Sequence, residues 1–376
     1  MEMSCFLKDN YYGTEMVTEC FTSDQSDEQL LYLGLDYIRK HDPALSLACS
    51  NNDLGRLSWN VSYRLEALIG LHAFDPNSSF PAKQVIASAI KCLLATADLS
   101  DREGSIGWPT RKYSISGTDR LSLMVDNAAI LYPMLLAANG GLTDASDREK
   151  IINLAEQFYD HYEPDFNEVT GKYHFDKGIP FWADGVWLPF NMQNIWGLCL
   201  IELYKATALF RYKLRALKLA ETFKQEWIYL DDGRILWHYW PQEFYDGWDE
   251  HDNLSINTPS RPASTDSLYE DLSHSGINIK FILEIYRNFP ASPITASDIE
   301  AIYLTIDGFR YGDEYSRFMS GDTNYQPPSI IFIPQYGWNE LGEEKIYEQI
   351  KNGIPSTSPL FEGDLAYSYL LTLNEK

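Results

Sequence analysis

Positive charge is scarce in this chain: 30 Lys and Arg stand against 54 Asp and Glu, a formal net charge of −24 over 376 residues. A field of that sign repels phosphate backbones and anionic lipid, so neither nucleic acid nor a membrane is an expected partner. Cysteine is sparse as well, with Cys5, Cys20, Cys49, Cys92 and Cys199 and no Cys-x-x-Cys among them. The odd count and the apolar runs around three of them predict free thiols in a reducing compartment, against a disulfide framework or a zinc ribbon. No apolar run approaches the ~18 residues of a membrane span. The N-terminal stretch lacks the basic and apolar regions of a signal peptide. A cytoplasmic location is the expectation. Also missing are a Gly-rich phosphate loop, a Gly-x-Ser-x-Gly elbow, kinase signatures and an Asp-Asp-x-x-Asp cluster.

What the sequence does contain is helical periodicity. Apolar residues recur at 3.6-residue spacing over Gln29–Arg39, Tyr63–Ala73, Val85–Ala97, Leu121–Ala138, Glu149–Tyr162, Pro189–Leu209, Leu214–Trp227, Ser264–Tyr286, Ala296–Ile306, Glu340–Ile350 and Gly363–Leu373. Turn chemistry separates them, as at Asn139-Gly140-Gly141 and Asp231-Asp232-Gly233. Only Ile330–Ile333 and Ile235–Trp240 read as strands. Five segments repeat one plan, polar residues followed by a strongly apolar helix, beginning at Ser58-Trp59-Asn60, Asp126-Asn127, Asn191-Met192-Gln193-Asn194, Glu270–His274 and Glu362-Gly363-Asp364. Amphipathic helices with charged outer faces lie between them. The expected fold is all-α, a single domain over 1–376 in which helical hairpins close into an (α/α)6 toroid. Loops before the inner helices would then line one mouth.

Those loops carry the functional candidates. Aromatic residues make up 14% of the chain, and many fall in the loops: Trp108, Trp182, Trp187, Trp240, Trp248 and Trp338, with His238 beside them. Arg111 and Arg120 form a rare positive cluster. Asp184, Asn127, Asn191, Gln193 and Asn194 add hydrogen-bonding groups. Flat aromatic faces beside such groups suit sugar rings; equally, large helical proteins pack Trp at hairpin ends.

Two motifs offer proton chemistry. Glu270 and His274 are spaced i, i+4, so on a helix start they share a face, and a carboxylate beside an imidazole makes an acid/base pair. Asp271 and Ser273 are alternatively capping residues. Asp126 precedes an apolar helix, where desolvation raises the pKa as a general acid requires, although an N-cap role accounts for it too. Glycoside hydrolysis usually needs two carboxylates, and Asp126, Glu270, Asp271, Asp184 and Asp364 can supply them. Zinc held by His238, His251 and His274 lacks a supporting spacing, so neither a metal nor another cofactor is expected. The acidic loop Asp246, Asp249, Glu250 and Asp252 reads as solvated surface.

The segments Asp126-Asn127-Ala128-Ala129-Ile130-Leu131-Tyr132-Pro133, Asn191-Met192-Gln193-Asn194-Ile195-Trp196-Gly197 and Glu270-Asp271-Leu272-Ser273-His274-Ser275-Gly276 resemble the six-hairpin glycosidase superfamily of (α/α)6 barrels. The first two are similar in order and spacing to unsaturated glucuronyl and rhamnogalacturonyl hydrolases, which hydrate the vinyl ether of lyase products with Asp as acid/base. The resemblance covers about residues 55–290 and maps Asp126 onto a catalytic Asp. Where those enzymes carry Arg-Gly-Gln-Ala-Trp-Gly, this chain has no Arg. The Glu270–His274 motif looks more like uronate lyases and glucuronyl C5-epimerase-like toroids.

A carbohydrate-active enzyme acting on a sugar or uronide oligosaccharide is therefore expected. Asp126 and His274 would form the acid/base pair, with Glu270 orienting His274. Asn191, Gln193 and Asn194 would bind hydroxyls or a carboxylate, and Arg111 or Arg120 an anionic group. Hydrolysis or vinyl-ether hydration stands first, then β-elimination or C5 epimerisation. A terpene cyclase protonating an alkene with Asp126 and a non-catalytic binding ring are the remaining alternatives.

Overall fold

The computed structural model describes residues 49–74, 76, 81–98, 106–265, 268–308, 310–311, 314–315, 318–320 and 337–341, with strands at 3–8 and 17–22. The expected helices at 29–39 and 363–373, most of that at 340–350, the strand at 330–333 and Asp364 lie outside the described residues. The chain is predominantly helical. Nine α-helices run through the described residues: α1 Ser62–Phe74, α2 Ala82–Thr96, α3 Met124–Asn139, α4 Ala145–Tyr162, α5 Phe190–Thr207, α6 Phe210–Gln225, the short α7 Gln242–Asp246, α8 Leu272–Asn288 and α9 Ala296–Gly308. Among the described residues strands occur only as small antiparallel hairpins, including β1 Met3–Lys8 with β2 Val17–Thr22, β3 Phe166–Asn167 with β4 Lys172–Tyr173, and β5 Ile228–Tyr229 with β6 Ile235–Leu236.

Side-chain pattern decides which helices lie inside. In α3 and α5 nearly every residue is buried, whichever way it points, the mark of a helix surrounded by others. In α2, α4 and α6 burial follows one stripe. The inner helices pack in the order α1, α3, α5, α8, each of the first three backed by its outer neighbour α2, α4 or α6. Each buried Leu or Ile contributes roughly 1.5–3 kcal/mol. At the α5–α8 crossing Gly197 makes room for Phe281: a Cβ there would fall 2.4 Å from the ring. Cys199 of α5 donates its thiol to the carbonyl of Ala128 on α3, which fixes the register of those helices. Buried Lys280 of α8 pairs with Glu66 of α1 and, at 2.8 Å, with Glu340.

Backbone hydrogen bonds gather the loops before the inner helices at one end. Arg111 N–H donates to Asp53 O, Ile115 N–H to Pro180 O, Phe190 N–H to Tyr239 O, and Glu270 N–H to Trp237 O. The segments leading into α1, α3, α5 and α8 are thus joined to one another in chain order.

Cysteine is where the expectation fails. Cys49 and Cys92 form a disulfide, their Cα atoms 4.5 Å apart, because the segment entering α1 folds against α2. A separation of 43 residues gave no sequence signal for this pairing. The inference of a reducing compartment, drawn from free thiols, loses that support. Cys199 is free and buried. Among the described residues no helix is long and apolar enough to cross a membrane.

Candidate active site at the starts of the inner helices

Asp126 sits in the first turn of α3, fully buried. The Ser58 hydroxyl is the one hydrogen-bonding group close to its carboxylate among the described residues, outside ideal hydrogen-bond geometry. Burial pushes its pKa up to about 6, while nearby Ser58 and the charge of Lys112 pull it part of the way back. A carboxyl of that acidity can give or take a proton near neutrality. Its neighbour Asn127 does a different job. It accepts from Trp108 N–H at 2.9 Å and donates to Ile106 O, Ser122 Oγ and the Tyr162 hydroxyl. Committed to four partners, Asn127 anchors the loop before α3 and is not free to bind a ligand.

The second centre lies at the entry to α8, where the geometry corrects the expected pairing of Glu270 with His274. Helix α8 begins at Leu272 with Asp271 as N-cap, so Glu270 precedes the helix and the i, i+4 rule does not apply to it. Its backbone bonds to Trp237 turn the carboxyl inward, where Oε2 accepts from Trp237 Nε1 and from Asn278 Nδ2 at 2.5 Å. Glu270 is fully buried and Oε1 has no partner. Burial holds its pKa well above the usual carboxylate range, with the hydrogen bonds from Trp237 and Asn278 acting the other way. Asp271 instead takes His274. Its Oδ2 lies 2.6 Å from His274 Nδ1, and its Oδ1 caps the N–H groups of Ser273 and His274. Burial opposes ionisation of Asp271, but hydrogen bonds and charge from His274 and Ser273 win, and hold its carboxyl well below the ordinary value.

Tyr113 and Tyr239 each feel charge from these centres. Burial raises the Tyr113 phenol well above its ordinary value and the charge of Asp126 adds to this. Tyr239 is raised in the same way by burial, then by Glu270, Asp271 and Tyr113. The Tyr239 ring meets the imidazole of His274 edge-on at 5.2 Å. Neither tyrosine emerged from the sequence as a site residue, nor did Ser58 or Asn278; adjacency to Trp59, Lys112 and Trp240 was the available signal for the mouth. A further acid pair was also missed: Asp165 is pushed up to about 8 by burial and by Asp176 beside it.

The remaining candidates divide. Asn191 and Asn194 are buried, each with an unpartnered Oδ1, and Asn194 donates to Asn278 at 2.7 Å, joining the Glu270 network. Gln193 is occupied by Tyr173 N–H and Leu188 O. Asp184 is buried and holds Gly178 N–H. Trp108 is core, its Nε1 on Leu93 O. Trp338 is core too, seated on Leu272 O and Ser275 Oγ at the start of α8. Trp248 is buried with its Nε1 on Thr258 O, and Trp187 rests against His174. His238 is wedged between Tyr245 and Tyr269, and burial lowers its pKa. Arg111 and Arg120 both reach Asp53, at 3.7 and 3.0 Å, and stay half-exposed. Trp182 is half-exposed and Trp240 partly buried, stacked on Phe244. Among the described residues no three His, Cys, Asp or Glu side chains are placed to hold a metal ion.

No protein-family model and no curated protein matches the chain.

Proposed function

We propose that the chain is a carbohydrate-active enzyme using Asp126 for general acid/base catalysis at the mouth of an (α/α) toroid. The observation that carries the reading is the state of Asp126: fully buried, with only the Ser58 hydroxyl and the Lys112 charge to offset its desolvation, and pushed up to about 6. A carboxyl kept half-neutral by its surroundings is what protonation of a glycosidic oxygen or of a vinyl ether requires. Unpartnered Oδ1 atoms on Asn191 and Asn194 suit hydroxyl donors. Half-exposed Arg111 and Arg120 suit a carboxylate at the rim. The Lys280–Glu66 pair, which joins α8 back to α1, supports a ring of helices.

In this mechanism Asp126 gives its proton either to the glycosidic oxygen, whose bond to C1 then breaks as the alcohol departs, or to the alkene carbon of a vinyl ether, and water adds to the resulting oxocarbenium ion. His274, oriented by Asp271, takes the proton of that water. A second reading, proton abstraction from C5 of a uronate by His274, draws on the 2.6 Å Asp271–His274 bond and the tyrosine set against the ring.

The test is turnover of saturated and 4,5-unsaturated uronide oligosaccharides by the wild type, Asp126→Asn and His274→Ala. Loss of about 10²–10⁴ in kcat is expected for Asp126→Asn. Near-normal turnover in that variant overturns the assignment. Solvent deuterium at C5 of recovered substrate, or a new double bond in the product, would select abstraction over hydrolysis.

A further inference from the structure

The helical body accounts for three of the five cysteines. Cys49 and Cys92 are bonded to each other, and Cys199 is free, buried and engaged with the Ala128 carbonyl. The other two, Cys5 and Cys20, belong to β1 and β2, and the register of that hairpin sets them directly opposite one another. The ladder runs from Met3 with Thr22 to Lys8 with Val17, so the Cys5–Cys20 rung has two rungs on one side and three on the other. Opposite residues of an antiparallel ladder have Cα atoms about 4.5 or 5.5 Å apart, according to whether they exchange hydrogen bonds, and share one face of the sheet. Both separations fall within the roughly 4.4–6.8 Å that a disulfide spans. A slip of one residue would set Cys5 against Phe21 or Glu19, so the match belongs to this register and not to composition. Among the described residues this sheet has two strands and no third. A lone two-stranded hairpin is marginal in water, and a covalent rung is one way to hold it.

We propose that Cys5 and Cys20 form a second disulfide of this chain, across the β1–β2 hairpin, leaving Cys199 as its single thiol. The proposal is independent of the carbohydrate reading. Its co-reactant is an oxidant of the disulfide-exchange class, a small-molecule disulfide or the disulfide of a dithiol oxidoreductase. One cysteine of the pair attacks the oxidant's S–S bond as a thiolate, forms a mixed disulfide and expels one thiolate. The second cysteine attacks the mixed disulfide in turn and expels the other. Two protons and two electrons leave the pair, and the oxidant departs as two thiols. The same exchange closes Cys49–Cys92. A chain with two closed disulfides and one shielded thiol matures in oxidising surroundings, the reverse of what an odd cysteine count suggests.

The test is a map of cysteine linkages in the full-length protein, equilibrated under native conditions with oxidised glutathione in excess over reduced. After acid quenching, unfolding and alkylation, trypsin cuts on either side of the pair and releases fragments 1–8 and 9–39. These should run in mass spectrometry as one species, two hydrogens lighter than their sum, and separate on reduction. Cys199 should be the one alkylated cysteine. Fragments 1–8 and 9–39 found unlinked, whether alkylated or carrying glutathione, overturn the proposal. Linkage of Cys5 or Cys20 to Cys49, to Cys92 or to a second chain overturns it as well. The Cys5→Ser variant adds an independent arm: Cys20 should then be unpaired within the chain while Cys49–Cys92 stays closed. A Cys20 that bonds another cysteine in that variant shows that the hairpin does not direct the pairing.

Discussion

Asp126 couples chemistry to stability through one number. Its carboxyl ionises near 6 in the folded chain against an ordinary value of 3.8. Between those values the folded state holds the extra proton, so stability falls as pH rises through that window and stays reduced above it, where a buried charge must be carried. Asparagine has the same shape and no charge. The melting temperature of Asp126→Asn should therefore exceed that of the wild type at about pH 8, with the gap closing as pH falls toward about 4; the full effect is at most about 3 kcal/mol. A gap that does not vary with pH would show that Asp126 is solvated in the folded chain. The burial of this residue was legible in the sequence, because the helix that follows it is apolar all round. The pairing of Glu270 with His274 was not. The i, i+4 rule presumes that both residues are helical, and the chain places Asp271 at the cap, one residue after Glu270. The sequence offers Asp271 both as a capping residue and as a carboxylate candidate; it caps the helix and holds the imidazole.

Helices α1 to α6 fall close to the spans that periodicity predicts, because a repeat of 3.6 is strong evidence over four turns. The start of α8 does not: the pattern begins at Ser264, but the helix begins at Leu272. Leu268, Tyr269 and Glu270 are drawn into extended contact with Trp237, His238 and Tyr239, and tertiary pairing overrides an apolar run there. Loop anchors were equally hidden, since a polar residue at a helix start looks the same whether it faces a ligand or a backbone. Asn127 shows the difference. Gly107 turns at φ +82° with the Asn127 Oδ1 only 2.4 Å from where a Cβ would sit, and the amide takes up both the N–H of Trp108 and the carbonyl of Ile106. Replacing Asn127 by Ala leaves those buried groups unmade, which costs about 2–4 kcal/mol. The expected result is a lower urea midpoint with an unchanged slope. A midpoint within about 0.5 kcal/mol of the wild type would mean that water or another side chain satisfies the loop.

At the scale of the whole molecule, two cross-links were invisible in the sequence: the disulfide over 43 residues and the Lys280–Glu66 pair over 214. Periodicity reports a residue's local face and says nothing about which distant helix that face meets. Lys280 in particular reads as a stray charge in an apolar stretch. In the folded chain it is buried over the Tyr132 ring between two carboxylates, Glu66 and Glu340. Burial alone would lower its pKa, but the two carboxylates outweigh it and keep the ammonium charged. The charge joins α1, α8 and the segment 337–341, so its removal should be felt across the molecule. Lys280→Met fills a similar volume but leaves the Glu66 and Glu340 carboxylates without their shared cation, for an expected loss of about 3–5 kcal/mol. Adding Glu66→Gln and Glu340→Gln removes the stranded charges and should recover at least half of that loss, because desolvation of unpaired ions is then no longer part of the cost. Thermal melts of the single and triple variants decide the matter: a triple variant no more stable than Lys280→Met would show that the lysine acts through packing on Tyr132 and not as the charge that ties α8 to α1.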